Sequence, residues 1–165
     1  MRRATCRPFI AVFICMMSSE SAKDLFRHSL STLAYRGGKA FRGAPPDFSG
    51  FRIGSDGRTA GAILAHIGDV LDWGLIMAKD KHVWHESAVQ AWDLDVERFF
   101  TVLRAFDDFL ASGAPLQAPL DKLFQGPVAD ALTHVGQIAM LRRLAEAPVK
   151  GENFFKADIA VGRIG

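Results

Sequence analysis

From Ser18 onward the apolar residues recur at helical rather than strand spacing, in four long segments. In the first, Leu25, Phe26, Leu30 and Leu33 form one stripe. Ser18 or Ser19 is placed to cap it, Glu20 and Asp24 suit its first turns, and Gly37-Gly38 marks its end or a break. Residues 43–58 then carry Pro45-Pro46, scattered glycines and the anchors Phe48, Phe51 and Ile53, which read as a long connection. A connection of that length suits a crossover that lets the flanking helices run parallel.

The second segment begins near Thr59 and runs to about Asp80. Ala62, Ile63, His66, Val70, Trp73 and Met77 share one face, Leu64, Ile67, Leu71 and Leu75 lie opposite, and Asp69, Asp72 and Lys79 are left as exposed charges between them. A helix apolar on two sides is buried on two sides, once in its own core and once against a partner subunit. Residues 81–85 read as a solvated connection holding His82 and His85. Glu86 to Ser112 read as the third helix, with Val89, Trp92, Val96, Phe99, Phe100, Leu103, Phe106 and Leu110 inward. Asp93, Asp95, Glu97, Asp107 and Asp108 form its solvated side, and Gly113-Ala114-Pro115 ends it.

After a short helical turn over 119–124, the fourth helix opens on Pro127 and extends to about Glu146. Val128, Ala131, Leu132, Val135 and Ala139 form its apolar face. Asp130, His134 and Gln137 form a polar line that Leu141 and Leu144 continue, so the line runs inward or along a pocket. Arg142 and Arg143 suit a solvated helix C-terminus, with binding of an anionic substrate as the alternative. The fold class is therefore all-α: a four-helix bundle with a long crossover connection between the first two helices.

Composition refines this picture at the ends. The 165 residues suffice for one domain with a sizeable core, assigned to 18–165, and the formal net charge is only +2. Part of that excess sits in Arg2, Arg3 and Arg7, so the body is near neutral and is not expected to bind nucleic acid. Residues 1–17 form an N-terminal extension with two readings: a signal-like segment, or an over-extended start with translation beginning at Met17. The apolar run from Pro8 to Met17 is too short to span a bilayer. The expected location is cytoplasmic, or exported if 1–17 acts as a signal. Both cysteines, Cys6 and Cys15, lie in this extension, so the body offers no thiol nucleophile.

The chemistry lies in His66, Asp130 and His134. Asp130 and His134 stand one turn apart on one helix and His66 sits on another. Two imidazoles and a carboxylate facing each other inside a bundle are a divalent-metal set that leaves coordination positions open. The bland alternative is a core histidine and a polar trio satisfied by hydrogen bonds or by water.

The stretches Thr59-Ala60-Gly61-Ala62-Ile63-Leu64-Ala65-His66-Ile67-Gly68-Asp69 and Gly126-Pro127-Val128-Ala129-Asp130-Ala131-Leu132-Thr133-His134-Val135-Gly136-Gln137 resemble the DinB-like (DinB/YfiT) metalloenzyme family. The resemblance extends over about Lys23 to the C-terminus, including Tyr35-Arg36-Gly37 and Pro148 to Phe154. It implies a four-helix bundle, often a homodimer, holding zinc, nickel, iron or manganese on a three-residue site. One ligand falls on His66 and the later member of an i, i+4 pair on His134. The earlier member is commonly histidine in that family and is Asp130 here. Gln137 would then orient substrate or support a ligand. The resemblance also implies a metal-dependent transferase of thiol type, or a hydrolase, acting on a small molecule. The alternative is a non-enzymatic dimeric bundle serving as a structural or interaction module. The C-terminal run with Asn153, Asp158 and Arg163 either closes over the site or packs the end of the bundle.

Overall fold

The computed structural model describes residues 8–80 and 82–165, with side chains from Glu20 onward. Among the described residues the regular structure is entirely helical. The four long helices are α1 (Pro8–Phe41), α2 (Ala60–Lys79), α3 (Trp92–Ala111) and α4 (Ala129–Leu144). One α-helical turn, Leu120–Leu123, and a π-helical turn, Phe124–Val128, lead into α4. Short 3-10 turns occupy Phe48–Gly50 and Phe154–Lys156.

Several boundaries differ from those expected. The backbone is already helical at Pro8, so Ser18 and Ser19 lie inside α1 rather than capping it. Arg2, Arg3 and Arg7, on which the signal-like reading rests, lie outside the described residues. Gly37-Gly38 does not end α1, which runs on to Phe41. A Cβ on Gly37 would stand 2.5 Å from the Phe99 ring, so this glycine is there for the close approach of α3. Residues 86–91 are extended, not helical, and Val89 is exposed. Pro127 lies within a helical run, where the missing N–H and the ring's clash with the preceding turn disfavour α geometry. The wider π turn accommodates both. Other boundaries agree with the sequence: Thr59 caps α2 by accepting from the Ala62 N–H at 3.1 Å, and Gly113 leaves α3 at φ 74°.

Paired residues give the topology. Phe26 packs on Phe106 and Phe41 on Trp92, so α1 and α3 are antiparallel. Gly68 faces Arg98, Gly74 faces Phe106, and the Lys79 ammonium lies over the Phe109 ring, so α2 and α3 run parallel. Gly74 also faces Pro127 while His66 faces His134, which makes α2 and α4 antiparallel. Each of α1 and α2 packs on both α3 and α4, which places α1 and α2 on a diagonal. The long first connection thus crosses between diagonal helices, but these are antiparallel. The extended strip 82–91, which runs back along the bundle, is what gives α3 a parallel neighbour.

Phe41, Phe99 and Phe106 are fully buried at the centre, with Phe41 and Phe99 edge to face at 5.0 Å. Leu64, Ile67, Leu71 and Leu75 are buried within this core. On the other apolar side of α2, Ile63 and Val70 are buried while Ala62, His66, Trp73 and Met77 are half-buried. This helix is long and apolar enough to cross a membrane, but 67% of its apolar window is buried in the bundle.

Four charges expected in water are buried: Asp69, Asp95, Asp107 and Arg142. Asp107 accepts from Arg27 at 2.8 and 2.9 Å, joining α3 to α1. Asp69 accepts from Arg98 at 2.5 Å and from the Ser87 backbone N–H at 3.0 Å. Asp95 accepts from the Gln90 backbone N–H at 3.0 Å. Residues 82–91 are thus clamped by one carboxylate from α2 and one from α3. The C-terminal segment lies along α1: the Tyr35 hydroxyl donates to Glu152 at 2.6 Å, Lys39 pairs with the same carboxylate, and the Arg36 guanidinium stacks on Phe154.

Candidate metal centre

His66 projects from the middle of α2, and Asp130 and His134 from consecutive turns at the start of α4. The antiparallel packing of these two helices brings the three together. One donor atom from each lies within 4.8 Å of the other two, and all three residues are half-buried. His66 Nε2 stands 3.4 Å from one Asp130 carboxylate oxygen, and His134 Nδ1 stands 3.5 Å from the other. The two imidazole rings are 4.8 Å apart between centroids.

The hydrogen bonding fixes one tautomer. His134 Nδ1 is 2.9 Å from the Asp130 backbone carbonyl, which only accepts, so Nδ1 carries the proton and Nε2 the lone pair. A backbone carbonyl holding one ring nitrogen while the other is free is the usual arrangement of a metal-binding histidine. His66 is kept neutral. Burial pushes its pKa below 6.5, and the charges of His134 and Arg58 push the same way against Asp130. Neutral imidazole is the form that binds metal.

The trio is a cluster that could hold a divalent ion. Ligand bonds of about 2.0–2.2 Å place donors of a tetrahedral site about 3.4 Å apart, the separation already present between His66 and Asp130. The Asp130 side chain is 45% exposed, so the set is open on that side. That opening is a cleft of about 550 Å³, walled by Val70, Trp73 and Trp84 on one side and by Gln125, Gly126 and Ala129 on the other.

Gln137 does not join the site. It is exposed and outside the cleft lining. At about 1.5 Å per residue it stands roughly 10 Å along α4 from Asp130, whereas the cleft extends toward Gly126. Nor does the C-terminal segment line the cleft. His82 and His85 are exposed, as their loop position suggested, although His82 meets Trp73 edge-on at 5.2 Å.

Sequence reading did not find the aromatic wall. Trp73 falls on the His66 face of the helical wheel, which was a usable signal. Trp84 gave none, because its position depends on the clamps from Asp69 and Asp95. Comparison with protein-family models, curated proteins and solved structures finds no match for this chain.

Proposed function

We propose that this chain is a divalent-metal-binding protein of DinB-like type, with His66, Asp130 and His134 as ligands, acting on a small molecule by group transfer or hydrolysis. The observation that supports it is the convergence of two imidazoles and one carboxylate from two facing helices, with one donor atom of each within 4.8 Å of the others.

A divalent ion held there supplies Lewis acidity, polarising an electrophile or lowering the pKa of a thiol or water near neutral pH. The chain's own groups set the conditions. The Asp130 carbonyl holds the His134 ring in one tautomer, burial keeps His66 uncharged, and the Asp130 carboxylate offsets positive charge on the open side. Residues after Cys15 contain no cysteine, so a thiol in such a reaction enters as a cosubstrate. Zinc, nickel, iron and manganese all accept this mixed nitrogen and oxygen set.

A non-enzymatic dimeric bundle is the second reading. It is favoured by an apolar groove between α1 and the turn before α4, where Leu25 is 69% and Phe124 44% exposed.

The deciding experiment is metal analysis of protein purified without a histidine tag or chelator, with His66→Ala, Asp130→Ala and His134→Ala alongside. Near-stoichiometric metal in wild type, lost in the variants, is expected. Wild type that is metal-free and unable to take up zinc, nickel, iron or manganese would sink this reading. A concentration-dependent dimer in sedimentation would then direct attention to the groove.

A further inference from the structure

Beside the trio, α2 and the crossover strip build a wall that metal binding does not require. Trp73 and Trp84 meet edge to face, with centroids 6.0 Å apart and planes at 80°. Trp84 lies 5.9 Å from the His66 ring and is 45% exposed. Across the cleft, Gly126 of the π turn has no heavy atom within 4 Å of the place a Cβ would occupy. That leaves open space at Gly126, which lines the same cleft as the two indoles. Among the described residues no lysine or arginine lines the cleft, and its one anionic group is Asp130. Arg58, whose charge reaches His66, is exposed and outside the lining.

A flat ring gains from such a wall twice, by removing apolar area from water and by the quadrupole geometry of aromatic pairs. An anionic ring finds no lysine or arginine among the described lining residues, and Asp130, the one carboxylate that could meet a cation, is engaged by the ion in the metal reading above. We propose that this cleft takes an uncharged aromatic group lying against Trp84 and Trp73, with the ligand's polar end directed to the trio. The direction rests on the metal reading above, and the aromatic wall does not.

Benzohydroxamate and acetohydroxamate share a chelating head and differ in ring against methyl. Calorimetric titration of zinc-loaded protein is expected to show about a tenfold preference for the aromatic compound, beyond any difference toward free zinc, consistent with one aromatic contact. Trp84→Ala is expected to cut that preference to about twofold, with helical content unchanged because Trp84 lies on an exposed extended strip. A para-carboxylate on the ring should abolish the preference. Equal affinity of the two compounds for wild type, or a preference that survives both Trp84→Ala and Trp73→Ala, overturns the proposal.

Should the protein bind no metal, the metal reading fails by itself, and benzamide against acetamide decides the cleft through tryptophan fluorescence of the metal-free protein. Saturable benzamide binding lost in Trp84→Ala upholds the aromatic cleft. No benzamide binding overturns it.

Discussion

Arg142 gathers four backbone carbonyls from two parts of the chain. It donates from Nε to Ala147 at 2.9 Å, from Nη1 to Ala40 at 3.0 Å and Arg42 at 3.1 Å, and from Nη2 to Gly43 at 2.9 Å. The residue is 7% exposed, and burial pushes its pKa down from the ordinary arginine range. An ammonium has three donors and no planar fork, so Arg142→Lys leaves carbonyls unpaired. We expect a loss of about 2 kcal/mol, since buried unpaired groups cost about 1–3 kcal/mol each. The check is a lower urea midpoint at unchanged slope; a shift under about 0.5 kcal/mol would contradict this role. At this scale Asp130 and His134 were legible because an i, i+4 pair shares a face by helical geometry alone, and His66 because it interrupts an apolar stripe. Asp69, Asp95, Asp107 and Arg142 were not, because a charge reads as water-facing until its partner is known. Most of those partners, such as Arg27 for Asp107, lie far off in sequence.

Two helix contacts depend on a missing side chain. A Cβ on Gly74 would stand 2.8 Å from the Pro127 ring, and one on Gly37 2.5 Å from the Phe99 ring. Both obstacles are stiff, so Gly74→Ala and Gly37→Ala should each destabilise by about 1–3 kcal/mol despite alanine's better helix propensity. Thermal unfolding of the two variants tests this, and a raised Tm would refute it. The crossover strip depends instead on Asp69. Burial alone would raise its carboxyl pKa, but the Ser87 N–H and Arg98 outweigh that and hold it below the ordinary value. Asp69→Ala, which removes the acceptor for the Ser87 N–H as well as the partner of Arg98, should cost about 3 kcal/mol, as for a broken buried pair, and release the strip. Trp84 emission should shift to the red, and an unchanged spectrum would mean that Ser87 is held by something else. Helix existence was legible from periodicity in all four segments. The ends were misread wherever Gly or Pro served packing, as at Gly37 and Pro127, because those residues break helices in isolation.

The bundle's order places α1 and α4 parallel on one side and α2 and α3 parallel on the other. No periodicity argument distinguishes this from other orders, since it depends on which connection runs the length of the molecule. Two of the groups whose shifted pKa values make stability respond to acid are His66 and Asp69. His66 has a folded pKa below 6.5, so the unfolded chain binds more protons and stability falls as pH drops below about 6.5. Asp69 has a folded pKa below 3.8, so its contribution is present above that value and is lost as pH falls through the folded pKa. Metal-free His66→Gln should lose only the first of these declines; if both remain, His66 is not its source. Added zinc should raise the Tm of wild type at neutral pH by mass action, fade toward acid, and leave His66→Ala unmoved.

The helix bearing Asp130 and His134 is pinned at both ends, by Pro127 against Gly74 and by Arg142 against the end of α1. The strip carrying Trp84 is seated instead by Asp69 and Asp95 on the Ser87 and Gln90 backbone N–H groups, with the Ser87 and Gln90 side chains adding to both contacts. Residues 82–86 can diversify while Asp69 and Asp95 keep the strip seated, so the wall beside His66, Asp130 and His134 can be recut by codon changes that leave the trio itself untouched.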